Sequence, residues 1–215
     1  MKKIVVLISG SGSNLEAIAK ACLNGSIPGS IELVISNIPN VKGLERAKKY
    51  HLMTQIVNHH DYKSREDFDQ ALLEQVLAVE PDLVILAGFM RILTPMFTDS
   101  FAGQLINIHP SLLPAYPGLD THKKAIENGD LMHGISVHYV DKNLDGGPII
   151  AQGALKIDPS QSEAKLITRI HKIEHAIFPK VIADIAKGYI QLKGNQVVFE
   201  AESHFGQNHM EFFNV

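Results

Sequence analysis

Hydrophobic residues in the first part of the chain follow two alternating patterns. The β-branched runs over 3–8 and 31–36 are nearly unbroken, as in strands buried on both faces of a parallel sheet. Between them, apolar residues recur at i, i+3, i+4 and i+7 from Leu15 to Cys22, which is the spacing of an amphipathic helix. A strand, a glycine-rich loop and a helix therefore follow one another, as in a βαβ unit.

The same alternation continues to the middle of the chain. The pattern predicts a helix over 41–50, a short strand over 53–57, a helix opened by a capping box at Ser64, a buried strand over 82–87 and a strand over 105–109. Strands that alternate with helices indicate an α/β, Rossmann-like fold, in which a mostly parallel, twisted sheet carries helices on both faces.

The second half of the chain predicts antiparallel additions to this sheet. A short helix over 121–128 is followed by strands over 134–140 and 148–157, which can pair as a hairpin. A second hairpin is predicted over 189–199, where Gly and Asn separate two short apolar runs.

The longest predicted helix opens at Ser160, within Asp-Pro-Ser, and runs to about residue 186. Pro179 lies inside it and is expected to kink or break it, because proline has no backbone N–H to donate. Residues 203–215 show no regular pattern, and we expect them to form a loose tail.

Composition adds limits to these predictions. The chain has 215 residues, of which 45% are hydrophobic and 20% charged, and its net charge of −3 gives no broad reason to expect nucleic acid or an anionic membrane as a partner. Only five apolar residues precede Ser9, too few for a secretory signal, and no run approaches the ~18 residues of a membrane span. Cys22 is the single cysteine, and we expect it in the core of a cytoplasmic protein.

Two polar side chains interrupt the predicted strand over 105–109. Asn107 and His109 are two residues apart, so on a strand both point to the same face. Pro110 keeps His109 in the extended region and delays any helix. Such a pair is often purely structural, but at the carboxyl end of a parallel strand it lies where α/β proteins bind ligands.

The glycine-rich segment 9–14, SGSGSN, joins the first strand to the first helix. Gly10 and Gly12 allow backbone N–H groups to approach an anion, and Ser13 or Asn14 could cap the helix. The segment lacks both the full GxGxxG pattern and the GK[ST] of a Walker loop, which argues against NAD and ATP and favours a monophosphate. The spacing alone fits a phosphate site and a tight structural turn equally well.

Asp145 precedes Gly146 and Gly147 in a predicted turn. Alone it fits an ordinary turn residue, but beside His109 its carboxylate would stabilise the imidazolium form of the ring. The amide of Asn107 and the charged imidazole could then stabilise an oxyanion. No serine or cysteine is obviously paired with this histidine, so we expect the nucleophile to belong to a substrate. These groups predict acyl transfer between two bound small molecules.

Residues 171–175, HKIEH, match the H-x-x-E-H pattern of one class of zinc protease. On a helix, His171 and His175 would share a face, but a catalytic zinc needs a third ligand, and no paired motif identifies one. We therefore predict no metal and prefer a cleft-facing acidic helix end or a solvated helix face.

Five motifs, in this order, resemble those of the phosphoribosylglycinamide formyltransferases, a family of folate-dependent formyltransferases. They are SGSGSN at 9–14, LAGFMRIL at 86–93, NIHPSLLPAYPG at 107–118, HGISVHYVDKNLDGGPI at 133–149 and EHAIFP at 174–179. The resemblance covers about residues 3–200. It implies transfer of a formyl group from 10-formyltetrahydrofolate to the amine of glycinamide ribonucleotide in purine biosynthesis, without a metal.

The resemblance also implies which residues form the site. Asn107, His109 and Asp145 match the catalytic trio of the family. The implied ribonucleotide-binding residues are Gly12, Ser13, Asn14, His171 and Glu174. The implied folate-binding residues are Arg65, Met90, Arg91, Ile92, Leu93, Asn107, Asp141, Lys142, Asn143, Leu144 and Asp145.

The implied organisation is a single domain over 1–200 and a C-terminal tail over 201–215. Within the domain, residues 1–103 form a nucleotide-binding half and 104–200 a folate-binding, catalytic half. The expected partners are these small molecules, with neither nucleic acid nor a membrane, and the expected assembly is a monomer or a homodimer. Asp120 stands where the resemblance implies histidine in several relatives. Because it lies outside the implied trio, this departure bears on loop detail or local proton flow and not on the reaction.

Three alternative functions remain open at this point. Formyltetrahydrofolate deformylase uses the same scaffold with water as the acceptor, but usually carries an additional N-terminal domain. Methionyl-tRNA formyltransferase has a further C-terminal domain and needs a basic surface, whereas this chain is slightly acidic. A catalytically silent nucleotide-binding module would leave Asn107, His109 and Asp145 without a role.

Overall fold

A computed structural model describes residues 1–215 and contains ten strands, six α-helices and one 3₁₀ helix at His59–Asp61. The strands are β1 (Lys2–Ile8), β2 (Gly29–Ser36), β3 (Thr54–Ile56), β4 (Leu83–Leu86), β5 (Leu105–His109), β6 (Met132–Tyr139), β7 (Ile149–Lys156), β8 (Ile190–Lys193), β9 (Gln196–Phe199) and β10 (Met210–Phe213). The helices are α1 (Ser13–Leu23), α2 (Lys42–Lys49), α3 (Arg65–Leu77), α4 (Pro95–Ser100), α5 (Thr121–Glu127) and α6 (Glu163–Lys187). The predicted helices and strands are all present, and α4 is an additional helix that the pattern did not indicate.

Eight strands form one sheet, in the order β10-β7-β6-β5-β4-β1-β2-β3. Strands β1 to β5 pair in parallel, whereas β6 runs antiparallel to β5 and to β7. Strands β8 and β9 form a separate hairpin. The predicted fold class, with a mostly parallel sheet and antiparallel additions in the second half, is confirmed.

Helices cover both faces of this sheet, as the unbroken apolar run of β1 predicted. Ile4 and Val6 point to one face, where they belong to the core that includes α1 and α6, and Val5 and Leu7 point to the other, where α3 and α4 pack. All four side chains are fully buried. The pairing of β4 with β5 makes the sheet continuous across the boundary between 1–103 and 104–200, and the functional division into halves stays a prediction.

The order of the strands determines where a site can form. Strand β1 pairs with β4 and β4 pairs with β5, all in parallel, so their carboxyl ends lie side by side. The loops that follow, 9–12, 87–94 and 110–120, therefore emerge at one edge of the sheet. This is the edge at which doubly wound α/β proteins bind their ligands.

Two predictions about the longest helix are corrected by the structure. Helix α6 begins after Ser162, whose hydroxyl accepts a hydrogen bond from the N–H of Lys165, while Ser160 bonds to Asp158 and lies outside the helix. The helix also continues through Pro179, so the expected break is absent, whereas the expected kink stays a prediction. Its buried apolar face, on both sides of the proline, packs on the sheet and offsets the lost hydrogen bond.

The prediction of a loose tail over 203–215 is wrong. Strand β10 pairs in parallel with β7 and becomes an edge of the sheet. Before it, the fully buried carboxylate of Asp184 accepts hydrogen bonds from the hydroxyl of Ser203 and the N–H of His204, at 3.0 and 2.7 Å. These contacts fix the segment that leads to β10. No helix of the protein combines the length and hydropathy that crossing a membrane requires.

Candidate active site

A cavity of about 770 Å³ opens at the carboxyl ends of β4 and β5. Its walls contain every predicted catalytic and folate-binding residue: Arg65, Met90, Arg91, Ile92, Leu93, Asn107, His109, Asp141, Lys142, Asn143, Leu144 and Asp145. The fold thus brings together side chains from α3, β5 and the loops after β4 and β6. A cavity of this size accommodates a small organic ligand.

Asp145 lies against His109, as the sequence predicted. In the turn after β6, Asp145 adopts a left-handed conformation with φ of 49°, and its Oδ2 accepts the N–H of Gly118 at 2.8 Å. The same oxygen is 3.5 Å from Nδ1 of His109, and both side chains are at most 10% exposed. The other ring nitrogen, Nε2, is 2.8 Å from the carbonyl oxygen of Tyr116. Both ring nitrogens of His109 therefore face acceptor oxygens.

Asn107 projects from β5 into the same cavity and contacts two partners. Its Nδ2 lies 3.1 Å from Nε2 of His138, which is the residue opposite it on the antiparallel strand β6. The same Nδ2 is 3.4 Å from Oδ1 of Asp145. An amide N–H, an imidazole and a carboxylate therefore surround one small volume.

His138 is a member of this site that the sequence analysis missed. Its Nδ1 lies 2.8 Å from the carbonyl oxygen of Tyr139, which requires an N–H there and leaves Nε2 free to accept from Asn107. Burial lowers the pKa of His138, in agreement with a neutral ring. His138 therefore fixes the orientation of the Asn107 amide, because its Nε2 accepts a hydrogen bond only from the nitrogen end. The available signal was a histidine near the carboxyl end of the predicted strand over 134–140.

The predicted ribonucleotide-binding residues form a second cluster, outside the 770 Å³ cavity. Gly12, with φ of 71°, precedes α1, so the prediction that Ser13 or Asn14 caps this helix is wrong. A side chain at Gly12 would also collide with α2, because an added Cβ would lie 2.5 Å from the Cα of Gly43. Asn14 instead donates its amide N–H to Oε2 of Glu174 on α6, at 2.9 Å.

Ser9 connects the two clusters. Its N–H donates to the carbonyl oxygen of Gly88 at 3.1 Å, and its hydroxyl accepts the N–H of Met90 at 2.7 Å. The glycine-rich loop after β1 is therefore joined directly to the loop after β4. Two ligands bound by these loops would lie next to each other.

The H-x-x-E-H pattern does not become a set of metal ligands in the fold. The rings of His171 and His175 are stacked with centroids 6.2 Å apart, while Glu174 between them points to Asn14. No group of three or more His, Cys, Asp or Glu side chains is arranged so that it could hold a metal ion.

Comparison with known proteins agrees with this geometry. The sequence profile of a family described as Formyl transferase matches residues 2–182. The chain belongs to the formyl transferase family. Phosphoribosylglycinamide formyltransferase of Escherichia coli (strain K12) is 48% identical over 192 residues, which cover 89% of this chain and 91% of that protein. A trifunctional purine biosynthetic protein of Homo sapiens is 39% identical over 193 residues, which are 90% of this chain and 19% of that protein.

A solved structure of another formyl transferase has the same fold. Phosphoribosylglycinamide formyltransferase from Coxiella burnetii, solved in complex with CHES, superposes with a TM-score of 0.90 at 42% sequence identity, covering 98% of this chain and 99% of that one. The family resemblance inferred from the five sequence motifs is therefore confirmed.

Two further histidines of this formyl transferase form a partly buried pair beside the cavity. Nδ1 of His122, in the cavity wall, lies 3.0 Å from Nε2 of His133. Burial lowers the pKa of each ring to about 4. Both rings are therefore neutral at pH 7, and one N–H can be shared between them. The sequence analysis assigned neither histidine, because their contact depends on how α5 packs against β6.

Glu174 has the most strongly raised carboxyl pKa near the candidate site. Burial raises this pKa from 4.5 to about 7, and the hydrogen bond from Asn14 lowers it by a smaller amount. The carboxyl of Glu174 therefore keeps its proton to a higher pH in the folded protein than in the unfolded chain. The free energy of unfolding is therefore expected to fall as the pH rises from about 4.5 to 7, and then to level off.

Glu174→Gln removes this charge and is expected to raise the free energy of unfolding by up to about 3 kcal/mol at pH 8. The glutamine can still accept the N–H of Asn14, and at pH 4 both side chains are neutral, so the two proteins should then be equally stable. Urea unfolding of both proteins at the two pH values measures this. A difference that is the same at both values would contradict the raised pKa.

Proposed function

We propose that the protein transfers the formyl group of 10-formyltetrahydrofolate to the amine of 5-phosphoribosylglycinamide, a step of de novo purine (IMP) biosynthesis. The observation that carries this proposal is the convergence of Asn107, His109 and Asp145 in one cavity. Relatives that share 40–48% of their residues with this chain are named phosphoribosylglycinamide formyltransferases, which supports this choice of formyl acceptor.

The proposed chemistry is direct attack of the substrate amine on the formyl carbon. Asn107 and protonated His109 donate to the oxygen that becomes negative, and such donors act strongly in a buried site. Asp145 supports the charge of His109 and helps to move a proton, through water, from the attacking amine to N10 of the folate. The bond between the formyl carbon and N10 then breaks, and tetrahydrofolate leaves. Holding both substrates together removes much of the entropic barrier of a two-substrate reaction. No nucleophile from the protein and no metal takes part in these steps.

The cavity has suitable groups for the folate. Around it, Met90, Ile92 and Leu144 expose apolar side chains, at 61%, 52% and 51%. Apolar surface next to a cavity suits the flat ring systems of a folate. Arg65 and Arg91 in the same wall supply positive charge for its carboxylates. Residues 141–145 would cover the pterin.

The second cluster has suitable groups for the ribonucleotide. The backbone N–H groups of Gly12, Ser13 and Asn14 lie at the first turn of α1, where the helix dipole favours a phosphate. Glu174 and His171 of α6 would contact the remainder of the nucleotide. Since Ser9 joins this loop to the folate side, the amine can be placed against the formyl carbon. A cytoplasmic location and a monomeric or dimeric state stay predictions.

One assay distinguishes transfer from hydrolysis. Consumption of 10-formyltetrahydrofolate is followed with and without glycinamide ribonucleotide, and the formylated ribonucleotide is quantified by mass spectrometry. We expect consumption only with the ribonucleotide, and one formylated product for each folate consumed. Equal consumption without the ribonucleotide would identify a deformylase. No consumption under either condition would leave only a binding function.

A further inference from the structure

The loop over 88–94, here called the folate loop, is anchored at both ends by different kinds of side chain. At its start, the uncharged hydroxyl of Ser9 accepts the N–H of Met90. At its end, the carboxylate of Asp69 on α3 accepts the N–H of Thr94, the residue before α4. Six consecutive residues of the loop, 88–93, line the 770 Å³ cavity.

Asp69 is unusual because it is a fully buried carboxylate without a contacting cation. It is 0% exposed, and its second oxygen, Oδ1, makes no hydrogen bond. Nearby, Nε of Arg91 is also buried and makes no hydrogen bond. A buried charge of this kind is costly unless other charges compensate for it.

The compensating charges come from the two arginines in the cavity wall. Burial raises the pKa of Asp69, whereas hydrogen bonding from Thr94 and the positive charges of Arg65 and Arg91 lower it. Each guanidinium is attracted to the carboxylate of Asp69. Neither arginine forms an ion pair with it, so both keep N–H donors free to bind a ligand.

The first turns of α3 present these groups on one side. Arg65, Phe68 and Asp69 are related by i, i+3 and i+4 spacing, so they share a helix face. The guanidinium of Arg91 lies over the ring of Phe68, 5.9 Å from its centroid. The beginning of α3 thus supports the folate loop through a carboxylate and an aromatic ring.

We infer that Asp69 is a positioning residue for the folate donor: its carboxylate fixes the end of the folate loop and orients Arg65 and Arg91 toward the carboxylates of the donor's glutamate. This inference rests on the proposed function, because it takes a folate as the ligand. Asp69 itself contacts neither the donor nor the reacting atoms.

Asp69→Asn tests the charge while keeping the volume of the side chain and an acceptor for the N–H of Thr94. We expect the KM for 10-formyltetrahydrofolate to rise about tenfold, while kcat and the KM for the ribonucleotide change less than about twofold. Asp67→Asn is the matched control, since Asp67 is exposed in the same turn of α3 and its side chain makes no hydrogen bond. It should leave all three constants unchanged.

A donor without the glutamate separates positioning from general loosening of the loop. With 10-formyltetrahydropteroate, which lacks the glutamate carboxylates, Asp69→Asn should behave like the unmodified protein. Ser9→Ala removes the uncharged anchor and should raise the KM for both formyl donors by the same factor. If Asp69→Asn raises the KM for both donors by the same factor, or raises neither KM, the inference is overturned. If that variant does not fold, Asp69→Glu replaces it, and it must raise the KM for 10-formyltetrahydrofolate more than the KM for 10-formyltetrahydropteroate.

Equilibrium binding keeps this test independent of the proposed reaction. Calorimetry with folate and with pteroate measures the same selectivity without turnover. If the unmodified protein transfers no formyl group but binds folate better than pteroate, and Asp69→Asn removes that preference, the proposed function fails and the positioning role stands. If transfer is observed but Asp69→Asn retains the full preference for the glutamate, only the positioning role fails.

Discussion

His109→Ala is expected to lower kcat for formyl transfer by about 10² to 10³, with little change in either KM. In the proposed mechanism, the imidazole is the charged donor to the developing oxyanion, so its contribution is greatest in the transition state. Its surroundings support this role, because Nε2 is held by the carbonyl oxygen of Tyr116 at 2.8 Å, whereas Nδ1 lies 3.5 Å from Asp145, which is long for a hydrogen bond and leaves this nitrogen able to donate to a ligand. Steady-state kinetics with both substrates measure the effect.

A matched control is His51→Ala, since His51 is exposed and makes no side-chain hydrogen bond. It should retain normal kinetics. If His109→Ala kept kcat within tenfold of the unmodified protein, or if the loss lay entirely in KM, the ring could not be the main oxyanion donor.

Asp145→Asn is expected to have a second effect of similar size, again a decrease of about 10² to 10³ in kcat. Asparagine keeps the volume and can still accept the N–H of Gly118, so the turn should be preserved. What disappears is the negative charge beside His109 and near Asn107. The proposed mechanism then lacks the carboxylate that faces the ring.

Asp99→Asn, an exposed substitution on α4, is the control for loss of a carboxylate elsewhere. Thermal unfolding of both variants should match the unmodified protein within a few degrees. A rate for Asp145→Asn near that of the control would mean that the carboxylate does not act on the histidine.

Much of the site follows from local pattern. The alternation in β5 placed Asn107 and His109 on one side, and the strand has the predicted bounds. The alternation of strands and helices placed the carboxyl ends of β1, β4 and β5 together. These predictions succeeded because they depend on periodicity and on the geometry of parallel sheets, both of which are visible in a single sequence.

The remaining features depend on contacts between distant segments. His138 faces Asn107 only because β6 pairs with β5 in one register, and no local pattern specifies that register. Strand β10 forms by pairing with the edge of β7. Its four residues alone do not show a pattern that predicts a strand. Pro179 is tolerated because the helix on both sides of it is held to the sheet. Tertiary packing decided each of these outcomes.

The arrangement of Asn107, His109 and Asp145 around one carbonyl is tested most directly by a crystal structure with glycinamide ribonucleotide and a non-transferable 10-formyl folate analogue. The formyl oxygen should lie about 3 Å from Nδ2 of Asn107 and from the imidazole of His109, with the amine placed to attack the formyl carbon. A formyl group bound beyond hydrogen-bonding reach of these side chains, or an amine on the far side of the cavity, would contradict the proposed mechanism.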